Sequence, residues 1–80
     1  MRLDKYLKVT RLIKRRTVAK EACDAGRVIV NDQVAKSGTK VSEGDIIKIR
    51  FGDQVVAIEV LQVKEHVKKE EVGQMYRHLS

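Results

Sequence analysis

The sequence predicts an α+β fold, with two N-terminal helices packed on a small, mostly antiparallel sheet and a short C-terminal helix. Three observations carry this reading. Apolar residues recur at helical spacing over the first 26 positions, and the period changes to two from Val28 onward. Turn-forming pairs then separate the short apolar runs. At 80 residues, with no Trp, no Pro and one Cys, the chain has no internal disulfide and must rest on an aliphatic core.

The first helix is expected over residues 2–10, where Leu3, Tyr6, Leu7 and Thr10 share one stripe. Asp4, Lys5, Lys8 and Arg11 fall on the other side. Residues 11–16 bridge to a second helix, with Leu12 and Ile13 plugging into the core while Lys14, Arg15 and Arg16 emerge. Thr17 is the expected N-cap of that helix. No capping box accompanies it, because Lys20 stands where Glu or Gln would reach back. Val18, Ala22 and Ala25 form its expected buried stripe, and Gly26 its stop.

Val28 and Val30 begin the sheet, and Asn31-Asp32 reads as a turn before Val34. Ser37-Gly38 and Glu43-Gly44-Asp45 are further breaks. Ile46 to Phe51 and Val55 to Val63 read as antiparallel strands joined by Gly52-Asp53-Gln54. Residues 1–63 therefore form the main body, and residues 64–80 a helical tail of the same domain. Within the tail, residues 68–80 place Val72, Met75, Tyr76 and Leu79 at helical spacing, although Gly73 interrupts them.

All of the net charge of +6 resides in residues 1–27, with nine basic side chains against three acidic. The remainder carries eight of each. A positive face of this kind is a footprint for a polyanion, most often nucleic acid. The scarcity of aromatics argues against an aromatic base-stacking sheet. The chain presents no glycine-rich phosphate loop, no zinc-ligand spacing and no acid pair with a partner histidine. It therefore reads as a non-enzyme without metal or cofactor. Cys23 reads as a packing residue, His66 and His78 as surface residues, and Tyr6 as core. A free thiol suits a reducing compartment. With neither an apolar leader nor a membrane span, the expected location is the cytoplasm and no membrane partner is expected.

Particular residues carry a family resemblance. Arg2-Leu3-Asp4-Lys5 opens the first helix, and Arg16-Thr17 with Ala19 opens the second. Gly26-Arg27-Val28 and Val30-Asn31 follow, then Gly44-Asp45 ahead of a strand. The run resembles the S-four RNA-binding domain (alpha-L motif) over roughly residues 1–50. Asp32 departs from the family's usual glycine after the asparagine. Arg11 to Thr17, Arg50-Phe51-Gly52, Lys68-Lys69-Glu70-Glu71 and Met75-Tyr76 extend the likeness to that family's small bacterial ribosome-associated quality-control members.

The resemblance implies binding to obstructed large ribosomal subunits through large-subunit rRNA and peptidyl-tRNA. It also implies support of C-terminal alanine tailing with an RqcH-like partner factor. A monomer is the default expectation for the chain. Two alternatives remain: a heat-shock-type S-four protein that recycles obstructed subunits, and a DNA-binding regulator. The heat-shock type carries a basic C-terminal extension, unlike the near-neutral tail here. A DNA reader needs polar base-reading side chains on its second helix, which here is alanine-rich.

The candidate RNA-binding set is Arg2, Asp4, Lys5, Arg11, Lys14, Arg15, Arg16, Thr17 and Lys20. Arg2 and Arg16 lead it, because they match the family's RNA-contacting arginines and because a guanidinium fork suits phosphate. Lys8 and Arg27 are weaker candidates. Asp4 is expected to orient an arginine, the alternative being an ordinary pair with Lys8 one turn on.

Overall fold

The computed structural model describes residues 1–79. Helix α1 spans Leu3–Val9 and α2 spans Arg16–Asp24. Five strands follow: β1 Val28–Val30, β2 Gln33–Val34, β3 Ile46–Phe51, β4 Gln54–Val60 and β5 Tyr76–Leu79. They form one antiparallel sheet in the order β2-β1-β3-β4-β5. The α+β class and the helix pair on an antiparallel sheet stand as expected.

Helix α1 forms because Leu3, Tyr6 and Leu7 bury one stripe completely. Thr10 ends it, its hydroxyl donating to the Tyr6 carbonyl at 2.7 Å, and Arg11 turns the chain at φ 60°. Ile13 then plugs the core, and Leu12 is half-buried. Gly26, at φ 76°, lets the chain leave α2 and enter β1.

Two features of α2 differ from expectation. It begins at Arg16 with Arg15 as N-cap, so Thr17 lies inside the first turn and caps nothing. Its core-facing residues are Ala19 and Cys23, whereas Val18 is 46% exposed, Ala22 half-buried and Ala25 exposed. The helix carries two apolar stripes, and packing against α1 selects Ala19 and Cys23. Burial, followed by the charges of Asp4 and Asp24, pushes the Cys23 thiol up to about 11.

Residues Ile47 and Ile49 of β3 and Ile58 and Val60 of β4 point at the helices. The β1–β2 turn places both Asn31 and Asp32 at positive φ, 51° and 67°, as a type I′ hairpin requires. Asn31 also bonds Asp45 (3.0 Å) and the Ile46 N–H (2.9 Å), which ties this turn to the start of β3.

Strand β4 stops at Val60, short of the expected Val63. The Leu61 and Gln62 N–H groups donate instead to the Met75 carbonyl, at 2.9 and 3.1 Å. The tail also differs. A short helix does form, as a 3-10 helix over Lys69–Gln74, and residues 76–79 then become β5. Gly73 weakens a longer helix. The open edge of β4 offers a ladder instead, pairing Val60 with Tyr76 and Ala57 with Leu79. Ser80, the last residue of the expected helix, lies outside the described residues. No helix among those described is long and apolar enough to cross a membrane.

Candidate nucleic-acid interface

The N-terminus is held by the loop between β2 and β3. Leu3 N–H donates to Thr39 O (2.8 Å), Asp4 N–H to Ser37 O (3.1 Å) and Val41 N–H to Met1 O (2.8 Å). These bonds fix where Arg2 leaves the backbone. Its guanidinium passes over Gly38, 3.9 Å from where a Cβ would stand.

Asp4 is the anchor of the site. Its side chain is only 4% exposed, yet both oxygens engage guanidinium or backbone donors. Arg2 Nε donates at 3.2 Å and Arg2 Nη2 at 3.3 Å, the Lys5 backbone N–H donates at 2.8 Å, and Arg16 Nη2 lies 3.6 Å away. Burial raises the Asp4 pKa. The Arg2 hydrogen bond, the Lys5 N–H and the charges of Arg16 and Arg2 outweigh that and leave it below the ordinary carboxylate value. Asp4 is therefore ionised at neutral pH and joins the arginine just before α1 to the one that opens α2. Arg2 and Arg16 remain half-exposed, so their outer donors are available to a ligand.

Lys5, Lys8, Arg11, Lys14 and Arg16 line one wall of an open groove. The facing wall is the segment after β4, with Glu65, His66, Lys68 and Glu71. The Arg2–Arg16 end continues past Gly38 to Lys40. Of the expected residues, the fold brings together Arg2, Asp4, Lys5, Arg11, Lys14 and Arg16. Lys8 joins them. Arg15, Thr17 and Lys20 are exposed but do not line the groove, and Arg27 lies on the opposite side of α2. Thr17 has no capping role; the first N–H groups of α2 stay open beside Arg15 and Arg16, adding a partial positive charge there.

Sequence reasoning missed the far wall. His66 and Lys68 add cationic or polar groups, and Lys40 extends the face. Glu65 also pairs with Lys5 across the groove, and Glu71 pairs with Lys64 at 3.5 Å. The Lys5 hydrogen bond and charge hold Glu65 below the usual carboxylate range. The only available signal was the run Lys68-Lys69, which by itself points nowhere. His66 and His78 are exposed, as expected of surface residues, and Tyr6 and Cys23 are fully buried. No group of three or more His, Cys, Asp or Glu side chains among the described residues is arranged to hold a metal.

Residues 1–47 match the family model described as S4 domain. The chain is 60% identical over 76 residues to the RQC P-site tRNA stabilizing factor of Halalkalibacterium halodurans, covering 95% of this chain and 86% of that protein. It is 52% identical over 80 residues to the factor of the same name from Streptococcus pneumoniae, covering 100% and 91%. Among solved structures, trimeric heat shock protein 15 of Vibrio cholerae superposes with a TM-score of 0.91 at 31% identity, covering 100% of this chain and 82% of that one.

Proposed function

The chain belongs to the S4 domain family and, within it, to the family of RQC P-site tRNA stabilizing factors (RqcP), and from that premise we propose that it serves ribosome-associated quality control by gripping structured RNA in the α1 groove. Its targets in this reading are obstructed large ribosomal subunits, contacted through large-subunit rRNA and the peptidyl-tRNA they retain. Steadying that tRNA supports C-terminal alanine tailing of the stalled chain alongside an RqcH-like partner. The chain works in the cytoplasm as a monomeric binding factor with no chemistry of its own.

The observation that carries this reading is the Arg2–Asp4–Arg16 cluster. A buried carboxylate fixes two guanidiniums before any ligand arrives, so less side-chain freedom is lost on binding. Planar guanidiniums match phosphate geometry, and a row of cations along one wall of an open groove, with Lys68 opposite, suits the backbone of a folded RNA, which proteins recognise largely by shape. The heat-shock-type recycling role is the second reading. Its fold likeness is high, but identity of 31% against 60% and 52% favours the first. A DNA reader is disfavoured because the exposed side of α2 mixes Val18 and Ala25 with the acidic Glu21 and Asp24, a poor surface for a major groove.

The test is sedimentation of the tagged protein through a sucrose gradient of lysate, with tRNA and nascent peptide probed in each fraction. The wild type is expected with large subunits that carry peptidyl-tRNA, and Arg16→Glu at the top of the gradient, still folded at the working temperature although its Tm falls through the lost Asp4 pair. Wild-type protein that stays at the top in low salt, or Arg16→Glu that sediments like wild type, refutes the reading.

A further inference from the structure

The second apolar stripe of α2 is only partly covered by the fold. Val18, Ala22 and Ala25 face away from Arg16 and line a groove against the β3–β4 hairpin, where Phe51 forms the opposing wall. Val18 and Phe51 are 46% and 43% exposed, and Phe51 is the only phenylalanine in the chain. Ala22 is half-buried against the core, and Val18 and Ala25 on either side of it stay exposed. Arg27 and Arg50 stand in the same groove, and no carboxylate among the described residues forms an ion pair with either. Glu21 lies on the α2 side.

We infer that this groove docks an amphipathic protein segment that lays apolar side chains on Val18, Ala22 and Phe51 and presents a carboxylate to Arg27 and Arg50. Charge complementarity selects this occupant. Two guanidiniums without an ion pair among the described residues, of which Arg50 spends only its Nε–H on the Gly52 carbonyl (3.3 Å), stand beside an aliphatic floor and fit one carboxylate flanked by apolar residues. RNA fits less well. It carries a charge on every nucleotide, and the floor is mainly aliphatic. The groove shares no residue with the Arg2–Asp4–Arg16 cluster, so one molecule can hold RNA and a protein at once.

The experiment uses the full chain in cells with a photoreactive reporter, Phe51→p-benzoylphenylalanine, and a matching reporter at Arg11 in the basic groove. The Phe51 reporter is expected to cross-link to protein. The contacted peptide, sequenced by mass spectrometry, should carry Asp or Glu within one helical turn of Leu, Ile, Val or Phe. Adding Arg50→Glu, or Arg27→Glu as a second variant, should lower the yield at least about tenfold. Changing the partner's carboxylate to Lys should restore it. The inference is overturned if the Phe51 reporter links to RNA or to a second copy of this chain, or if both charge reversals leave the yield unchanged. It also fails if no adduct forms while the Arg11 reporter gives its own. Failure of the Arg11 reporter to link RNA counts instead against the proposed function.

Discussion

Asp4→Asn removes a negative charge from the most basic part of the molecule, and simple charge counting predicts tighter RNA binding as a result. The geometry predicts the opposite. Asp4 holds Arg2 through bonds of 3.2 and 3.3 Å and Arg16 at 3.6 Å. A hydrogen bond to a charged group contributes about 1.5–3 kcal/mol when buried, and an exposed ion pair only about 0.2–1. With a buried carboxylate and half-exposed guanidiniums, the loss of stability should be about 1–2 kcal/mol. For a domain of this size that lowers Tm by about 5–15 °C. Freed in the unbound protein, each arginine must be immobilised again on binding, at about 0.5–1.5 kcal/mol apiece. Affinity for a structured RNA should therefore fall about 5- to 150-fold. The assay is a titration of fluorescent RNA well below the melting temperature, at several salt concentrations. An Asp4→Asn protein that binds as tightly as wild type, or more tightly, refutes the clamp. The sign with pH follows from the same geometry. Because the folded Asp4 pKa lies below the usual value, its stabilisation is fully present above about pH 3.9 and disappears as pH falls through the folded value.

Glu65→Gln frees Lys5 from its pair across the groove. RNA affinity should rise about 2- to 5-fold, and the log–log salt slope should steepen by roughly 0.7–0.9, one phosphate's worth; an unchanged slope counts against the pairing. Tyr6→Phe deletes the donor to Met75 O at 2.9 Å, and thermal unfolding should show a loss of about 1 kcal/mol, or about 4–8 °C in Tm. Asp32→Gly places the family's usual residue at a φ of 67°, so Tm should rise by about 2–5 °C, and a fall would contradict the left-handed turn.

Local physics made part of this molecule legible. The spacing of Leu3, Tyr6 and Leu7 marked α1, and the alternation around Ile47 and Ile49 marked β3. Asp4 beside Arg2 was readable as an orienting carboxylate because the two are neighbours in the chain. The inward face of α2 was not readable. Val18, Ala22 and Ala25 recur as regularly as Ala19 and Cys23, and only contact with α1 decides between them. The tail failed for a different reason. Met75, Tyr76 and Leu79 satisfy a helical period, but the unfilled edge of β4 outweighed it. The far wall of the groove was out of reach, since Lys5 and Glu65 meet only through the tertiary fold.

The Met75 carbonyl accepts from the Tyr6 hydroxyl and from the Leu61 and Gln62 N–H groups. One oxygen thus binds α1 to both ends of the segment that forms the groove's far wall. Together with the Lys5–Glu65 pair across the groove, this ties the two walls to each other. On the proposed reading, a groove tied in this way would gauge the separation of the RNA backbones laid into it. Discrimination on that reading would rest on spacing rather than on base identity.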